Sequence, residues 1–344
     1  MCHAVARRDV HVVLMVEPPA GVPKPTVNEL LASYGLVPTP TLSIHILPRA
    51  RTLASLWFRL KVILFSLRWG DQGVFYSRSK RYTRFVQRLW FCRTPVIQEV
   101  HEVDSCQLAE RGEDSTKMLQ LESAVFSGVS GVVANCPGTG TLLAKTHQNL
   151  PPLLVSHNGA HESRVRPSHE KGVGAAIVGS LRQYKGMQTV AEAAALSGTP
   201  MTVIGAATSK EAEQLIAKSA GHLSVELAVA HHLVPDRLTQ FRTLVLPLSD
   251  GLFGAQLTSP LKLWDYLASG VPIVAADLPS VMDAAPGALY PYTPEDPASL
   301  ADAIDRVSTD QRLRAQLLAA AVPRTWRMRA EEVTAFVSSV LDKA

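Results

Sequence analysis

Apolar residues in this chain gather in short continuous runs, and the stretches between the runs carry them at helical intervals. A continuous run bounded by turn residues reads as a strand buried on both faces, whereas recurrence every three or four positions reads as an amphipathic helix. In the first half, runs at 11–16, 41–47, 74–76, 95–101, 129–134 and 153–156 predict strands. Residues 27–34 predict a helix ending near Gly35, residues 53–69 an apolar helix with sparse cations, and the tract through Arg84 and Arg88 a basic helix. A second series follows, with strands at 175–178, 201–204, 223–229, 243–248 and 272–276 and helices at 187–196 and 210–220. A last helix runs from Thr325-Trp326 to Leu341. Strands alternating with helices predict parallel, doubly wound sheets, hence an α/β chain of two Rossmann-like halves. The hydrophilic stretch 158–174, with Pro167, Gly172 and no apolar run, reads as the linker. The expected division is a first domain over 1–165, a second over 166–325 and a terminal helix over 326–344. Ligands are expected in a cleft between the halves, at the carboxyl ends of the strands.

Residues 258–280 carry the densest chemistry. Thr258-Ser259-Pro260 reads as a helix start, with Ser259 as the cap and Pro260 at the first helical position, where its missing N–H costs nothing. Leu261 through Ala268 continue the helix, and Gly270 ends it as a left-handed cap. The run 272–276 then reads as a buried strand. A helix opening on exposed N–H groups, with Lys262 in its first turn, suits a diphosphate. Asp265, just short of one turn further on, faces the same side and can accept two hydrogen bonds from the vicinal hydroxyls of a ribose. The outline is a nucleotide-sugar pocket.

This segment resembles the donor-site signature of family 4 glycosyltransferases, in the branch whose motif runs S-P-x-K-x-x-[ED]-[YF]-x-A-x-G-x-P. Ser259, Pro260, Lys262, Asp265, Tyr266, Ala268, Gly270 and Pro272 all fall in register. The resemblance implies the GT-B fold, with the last helix crossing back onto the first domain. It also implies transfer of a hexose from a nucleoside-diphosphate sugar to an acceptor hydroxyl, with retained configuration and without a metal. UDP is the expected nucleotide, and no cofactor is expected beyond the nucleotide sugar as co-substrate. Gly179 to Gly186 resembles the family's G-x-L-x-x-x-K-G loop, which assigns Lys185 to the donor phosphates; Arg182 stands in for the cation that relatives place at Ser180. Gln98-Glu99-Val100-His101 resembles the family's E-x-H element, which puts His101 near the transferred sugar, to hydrogen-bond it or steer the acceptor. The donor set implied is Gly179, Arg182, Lys185, Thr258, Ser259, Pro260, Leu261, Lys262 and Asp265, with His101 as the catalytic candidate and no metal ligand.

The chain also departs from the family. Leu257 stands where many members carry a first glutamate seven residues before the second, and Asp250 is displaced from that position. Branch members lacking that glutamate use backbone N–H groups beside the equivalents of Thr258 and Ser259. Ser156 and His161 replace the Pro and Asp of the family's P-N-G-x-D turn, so Asn158-Gly159 reads as an interdomain turn. His157 and His161 stand at a metal-compatible helical interval, but Asn158-Gly159 breaks any helix there, and the adjacent His231-His232 would point opposite ways on a strand; neither an Asp-x-Asp motif nor a G-x-G-x-x-G dinucleotide loop occurs. An epimerase or phosphorylase of the same fold, and a nucleotide-sugar-binding protein without turnover, are the rival readings.

Composition adds one feature. At 344 residues and 47% hydrophobic, the chain can bury two cores, and its scattered Cys2, Cys92, Cys106 and Cys136 read as reduced thiols in a cytoplasmic protein. The net charge of +4 is uneven: residues 49–93 hold eleven cations and one anion, Asp71, for a local charge of +10. Aromatic and aliphatic residues among those cations suggest peripheral attachment to the inner face of an anionic membrane, and an acceptor that is lipid-linked or anionic. The competing expectation is that 53–69 is a core helix whose cations reach outward. Without a recognised binding motif, no nucleic-acid partner is expected.

Overall fold

The computed structural model describes residues 1–16, 24–48, 51–70, 72–89, 91–167, 172–179, 186–205 and 209–342. Its backbone contacts divide the chain into two units, Met1–His157 with Arg327–Ala344, and Asn158–Trp326. The composition suggested a boundary at 165/166, but the segment expected as a linker packs into the second unit from its first residues. Ala160 N–H donates to Arg324 O and Ala160 O accepts from Trp326 N–H, at 2.8 and 2.9 Å, and Arg164 is buried. Polarity at Asn158 and Arg164 thus goes with burial, whereas Ser163 and Pro167 are exposed.

The first unit holds strands β1 (Val12–Val16), β2 (Leu42–Ile46), β3 (Phe75–Ser77), β4 (Val96–Val100), β5 (Gly131–Ala134) and β6 (Leu153–Val155). Its helices are α1 (Cys2–Ala6), α2 (Val27–Ser33), α3 (Arg51–Trp69), α4 (Lys80–Gln87), α5 (Asp104–Glu110), α6 (Thr116–Phe126) and α7 (Pro137–Thr146). Pairing is parallel throughout, but β1–β2 form one sheet and β3-β4-β5-β6 another. The three-residue β3 makes its ladder with β4 alone. A reciprocal box starts α2: Glu29 N–H donates to Thr26 Oγ1, and Thr26 N–H donates to Glu29 Oε2.

Strand alternation sorts this unit's core. In β4, Val96 and Val100 join Val132, Phe126 and Leu143 on one side, while Ile97 joins Val133, Val333 and Val340 on the other. The last helix, Trp326–Leu341, therefore roofs one face of the four-stranded sheet, as the resemblance implied. Glu99 shares its parity with Ile97 and so points toward that helix.

The second unit holds β7 (Ala175–Val178), β8 (Met201–Ile204), β9 (Leu223–Glu226), β10 (Thr243–Leu246), β11 (Ile273–Ala276) and β12 (Leu289–Tyr292). Its helices are α8 (Met187–Leu196), α9 (Ser209–Lys218), α10 (Val234–Leu238), α11 (Leu261–Ser269), α12 (Pro279–Met282), α13 (Pro297–Thr309) and α14 (Gln311–Ala320), and α15 (Trp326–Leu341) follows. The parallel sheet has the order β12-β11-β10-β7-β8-β9. The chain winds outward from β7 to β9, then returns to the other side of β7 at β10, so the strand order reverses between β7 and β10. Such a switch point is where open α/β sheets bind ligands. Strand β12 was not foreseen; Pro291 interrupts its pattern and is tolerated because the strand lies at the sheet's edge. Across both units, among the described residues, no helix is long and apolar enough to cross a membrane.

Candidate donor site and the histidine strand

Three segments of the second unit converge at the switch point. The loop after β7 leaves through Gly179, whose N–H donates to Ile204 O, and closes at left-handed Gly186, which starts α8. A Cβ on Gly186 would sit 3.7 Å from Pro247 Cβ, so this loop ends against the loop that follows β10. From there the chain makes one π-turn, Phe253–Leu257, and enters α11. Gly254 is required in that turn, because a Cβ there would lie 2.2 Å from Ser249 O. Helix α11 is fastened to the end of β7 by Val178 N–H, which donates to the buried Tyr266 hydroxyl at 2.7 Å. Gly179, Thr258, Ser259, Pro260, Leu261, Lys262 and Asp265 thus lie on elements that meet. Arg182 and Lys185 fall outside the described residues.

The helix start differs in detail from the expectation. Pro260, which has no side-chain acceptor to offer, is the cap position, and α11 begins at Leu261. Ser259 Oγ accepts from Asn158 N–H at 3.2 Å, and Ser259 O accepts from the Asn158 side chain at 2.9 Å. The Asn-Gly turn is therefore tied to the start of α11. Gly159 lets the same turn lie against the chain at Thr325, since a Cβ there would come within 2.5 Å of the Thr325 carbonyl carbon. Of the first-turn N–H groups of α11, that of Leu263 donates to Pro260 O at 3.0 Å. Gly270 does end the helix in the left-handed conformation.

Asp265 has a partner that the motif did not reveal. Buried Arg164 donates through Nη1 to Asp265 Oδ1 at 2.7 Å and through Nη2 to His231 Nδ1. Both ionic side chains are about 8% exposed. The guanidinium fixes the rotamer of the carboxylate through Oδ1, and among the described residues Oδ2 accepts no hydrogen bond. Because His231 Nδ1 accepts, its ring is neutral; burial, and then the Arg164 charge, hold it below the usual imidazole range. Burial also draws the Lys262 ammonium below its ordinary value, with Arg164 adding to that and Asp265 opposing it. A half-buried ammonium at the start of a helix is matched to an incoming anion. Leu257, at the missing-glutamate position, is fully buried core.

In the first unit, His101 follows the end of β4. Its Nε2 donates to Glu99 Oε1 at 2.5 Å, which leaves Nδ1 as the ring's second polar atom. Glu99 is clamped in turn by Arg329 of α15, whose Nη2 donates to the same oxygen at 2.9 Å. Burial alone would raise the Glu99 carboxyl, but the His101 hydrogen bond and the Arg329 charge outweigh it and hold the group at about 2. Burial, and then the charge of Glu99, push the nearby Tyr76 hydroxyl well above its usual range. The i, i+2 spacing of Glu99 and His101 was legible in sequence, whereas Arg329 lies 230 residues away and carried no signal.

Comparison with known proteins bears on the fold and on the second unit. Residues 173–310, all in the second unit, match the family model described as Glycosyl transferases group 1. No curated protein matches the chain in sequence. Among solved structures, the chain resembles sucrose-phosphate synthase from Thermosynechococcus elongatus, with a TM-score of 0.79 and 13% identity over 100% of this chain and 92% of that one. Anabaena HepE in complex with UDP and glucose superposes with a TM-score of 0.74 and 15% identity, over 98% of this chain and 95% of the other. The lipopolysaccharide outer core galactosyltransferase WaaB gives 0.62 and 11%, over 95% and 99%. The chain has the GT-B fold, and its second unit is similar to group 1 glycosyl transferases over the residues that build the switch-point site.

Proposed function

We propose that this protein transfers a hexose from a nucleoside-diphosphate sugar, with UDP as the nucleotide, to an acceptor hydroxyl. The observation that carries the reading is the convergence of the β7 loop with the start of α11 at the switch point, inside the segment that matches group 1 glycosyl transferases. Lys262 and the first-turn N–H groups of α11, together with Lys185 and Arg182, neutralise the leaving diphosphate. Charge develops there as the glycosidic bond breaks, so fixed positive groups stabilise the transition state more than the ground state. Asp265, braced by Arg164, accepts from the ribose hydroxyls. Glu99 holds His101 so that its remaining ring nitrogen can meet the sugar or the acceptor. HepE was crystallised with UDP and with UDP-glucose, which supports the choice of nucleotide. Retention of configuration and independence of metal follow from the motif's resemblance to family 4 enzymes. The acceptor is proposed to be lipid-linked or anionic, met at the cytoplasmic face of a membrane.

A thermal-shift series with UDP, GDP, ADP and dTDP tests this directly. A ligand at a hundred times its Kd should stabilise the protein by about 2.7 kcal/mol. UDP should give the largest shift, and Lys262→Ala should abolish it. Absence of a shift with every nucleotide would remove the donor-site reading. UDP binding without transfer or hydrolysis would leave a binding protein, and phosphate-dependent turnover without an acceptor would leave a phosphorylase.

A further inference from the structure

Helix α3 has two apolar faces, and the core uses one. At about 100° per residue, Phe58, Val62 and Ser66 share the inner side, where Val62 is fully buried and Phe58 packs on the first unit's core. On the opposite side lies a stripe of Leu56, Trp57, Leu60, Leu64 and Leu67. Trp57 is 49% exposed, Leu64 59% and Leu67 69%. From Trp57 to Leu67 the stripe runs about 15 Å. A surface helix ordinarily turns charged residues outward on that side. The alternative read from the sequence, a core helix whose cations alone reach outward, does not describe this face.

Cations frame the stripe. Arg59 and Arg68 are exposed on α3, and α4 packs beside it through the stacked rings of Phe58 and Tyr82, 3.9 Å between centroids. The Arg59 guanidinium also lies 5.1 Å from the Phe85 ring centre of α4. Arg81 of α4 and Arg88, its C-terminal cap, are exposed as well. Residues 51–93 contain a single acidic side chain, Asp71, which falls outside the described residues. A second copy seated on this face would set the same cations against each other, and a nucleic acid would leave the leucines without an apolar partner. An anionic bilayer satisfies both halves of the surface, with acyl chains for the leucines and headgroup phosphates for the arginines.

We infer that the outer face of α3, flanked by the arginines of α4, is a docking surface for an anionic lipid bilayer, with the helix lying in the interfacial plane. This inference uses no residue of the donor site and stands or falls independently of the sugar-transfer reading. The test is cosedimentation of the full chain with phosphatidylcholine vesicles, and with vesicles in which about a third of the lipid is phosphatidylglycerol. Binding should require the anionic lipid and fall as salt shortens the Debye length. Leu60→Ser combined with Leu64→Ser should weaken it about tenfold or more. Because both leucines are exposed, the double variant should keep the wild-type melting temperature and UDP shift. Arg81→Ser with Arg88→Ser should flatten the salt dependence. Brominated acyl chains should quench tryptophan fluorescence in the wild type, and Trp57→Phe should remove most of the quenched signal. Failure to bind anionic vesicles at low salt would overturn the inference, as would a leucine double variant that binds like wild type. A dimer that the leucine substitutions convert to monomer, without vesicle binding, would reassign the face to self-association.

Discussion

The two units spend their apolar residues differently. The second gathers its buried apolar side chains into one continuous cluster around a six-stranded sheet, and Arg164, Asp265 and the neutral His231 are locked together at its site. The first splits its core between the two faces of a four-stranded sheet, pairs β1 and β2 separately, and leaves a row of leucines facing outward. A pocket for a small, fixed ligand rewards rigidity, because groups already in place lose little entropy on binding. A surface that meets a large or fluid partner gains by keeping apolar area in reserve. The contrast matches the proposed division of labour, with the donor held by the second unit and a less regular partner met by the first.

The largest expected effect tests the locked charges. Arg164→Met leaves Asp265 buried without its guanidinium, and breaking such a pair costs about 3 to 5 kcal/mol. Hydrogen exchange should show protection falling in β7 and α11 while β4 to β6 keep theirs. Equal loss in both units would erase the distinction between them.

The first unit has its own buried ion cluster, with an acid signature. Because the folded-state value of Glu99 is depressed to about 2, its contribution is fully present above the unfolded carboxylate value and is lost as pH falls through the folded one. The contribution is roughly 3 kcal/mol. Glu99→Gln should flatten the decline in stability between about pH 4.5 and about pH 2. Calorimetry across that range measures it, and a decline that stays steep in the variant would mean that other carboxylates set the acid limb.

Ribose and phosphate recognition can be separated at the donor site. Asp265→Asn retains an oxygen that can accept from Arg164 but removes the charge, and should weaken uridine and UDP alike by about tenfold. Lys185→Ala should leave uridine untouched and weaken UDP alone. Titration calorimetry with both ligands decides it, and parallel losses in both variants would mean that the two roles are misassigned.

The smallest effect concerns Ser259. Ser259→Ala should cost about 1 kcal/mol. Exchange should quicken at the Asn158 amide, which bonds Ser259, and not at the first-turn amides of α11, which a cap would have protected.

Much of this architecture is legible in the residues. Runs such as 175–178 and 201–204 coincide with strands because burial on both faces forces continuous apolarity, and Gly270 marks a helix end because no other residue sits as easily in that conformation. The start of α11 was read from local preference, and a contact 101 residues away in sequence took Ser259 for a different task. Arg164 was invisible for a related reason: a charged residue in a polar stretch looks solvated, and only the fold shows it buried on Asp265. Arg329 likewise meets Glu99 through the parity of β4 and the path of α15, neither of which leaves a local trace.

The Arg329–Glu99 clamp also bears on how the protein is made. Residues 158–326 are contiguous, so the second unit can fold as soon as it has left the ribosome. The first unit, although synthesised earlier, waits for its roof: Glu99 emerges 230 residues before the arginine that neutralises it. During that interval a buried-to-be carboxylate and the apolar face carrying Ile97 and Val133 remain open to solvent or to a chaperone. The unit begun first is thus the one completed last. Ribosome-stalled chains ending after 326 should show a protease-resistant second unit and a cleavable first one, and extension through α15 should protect both.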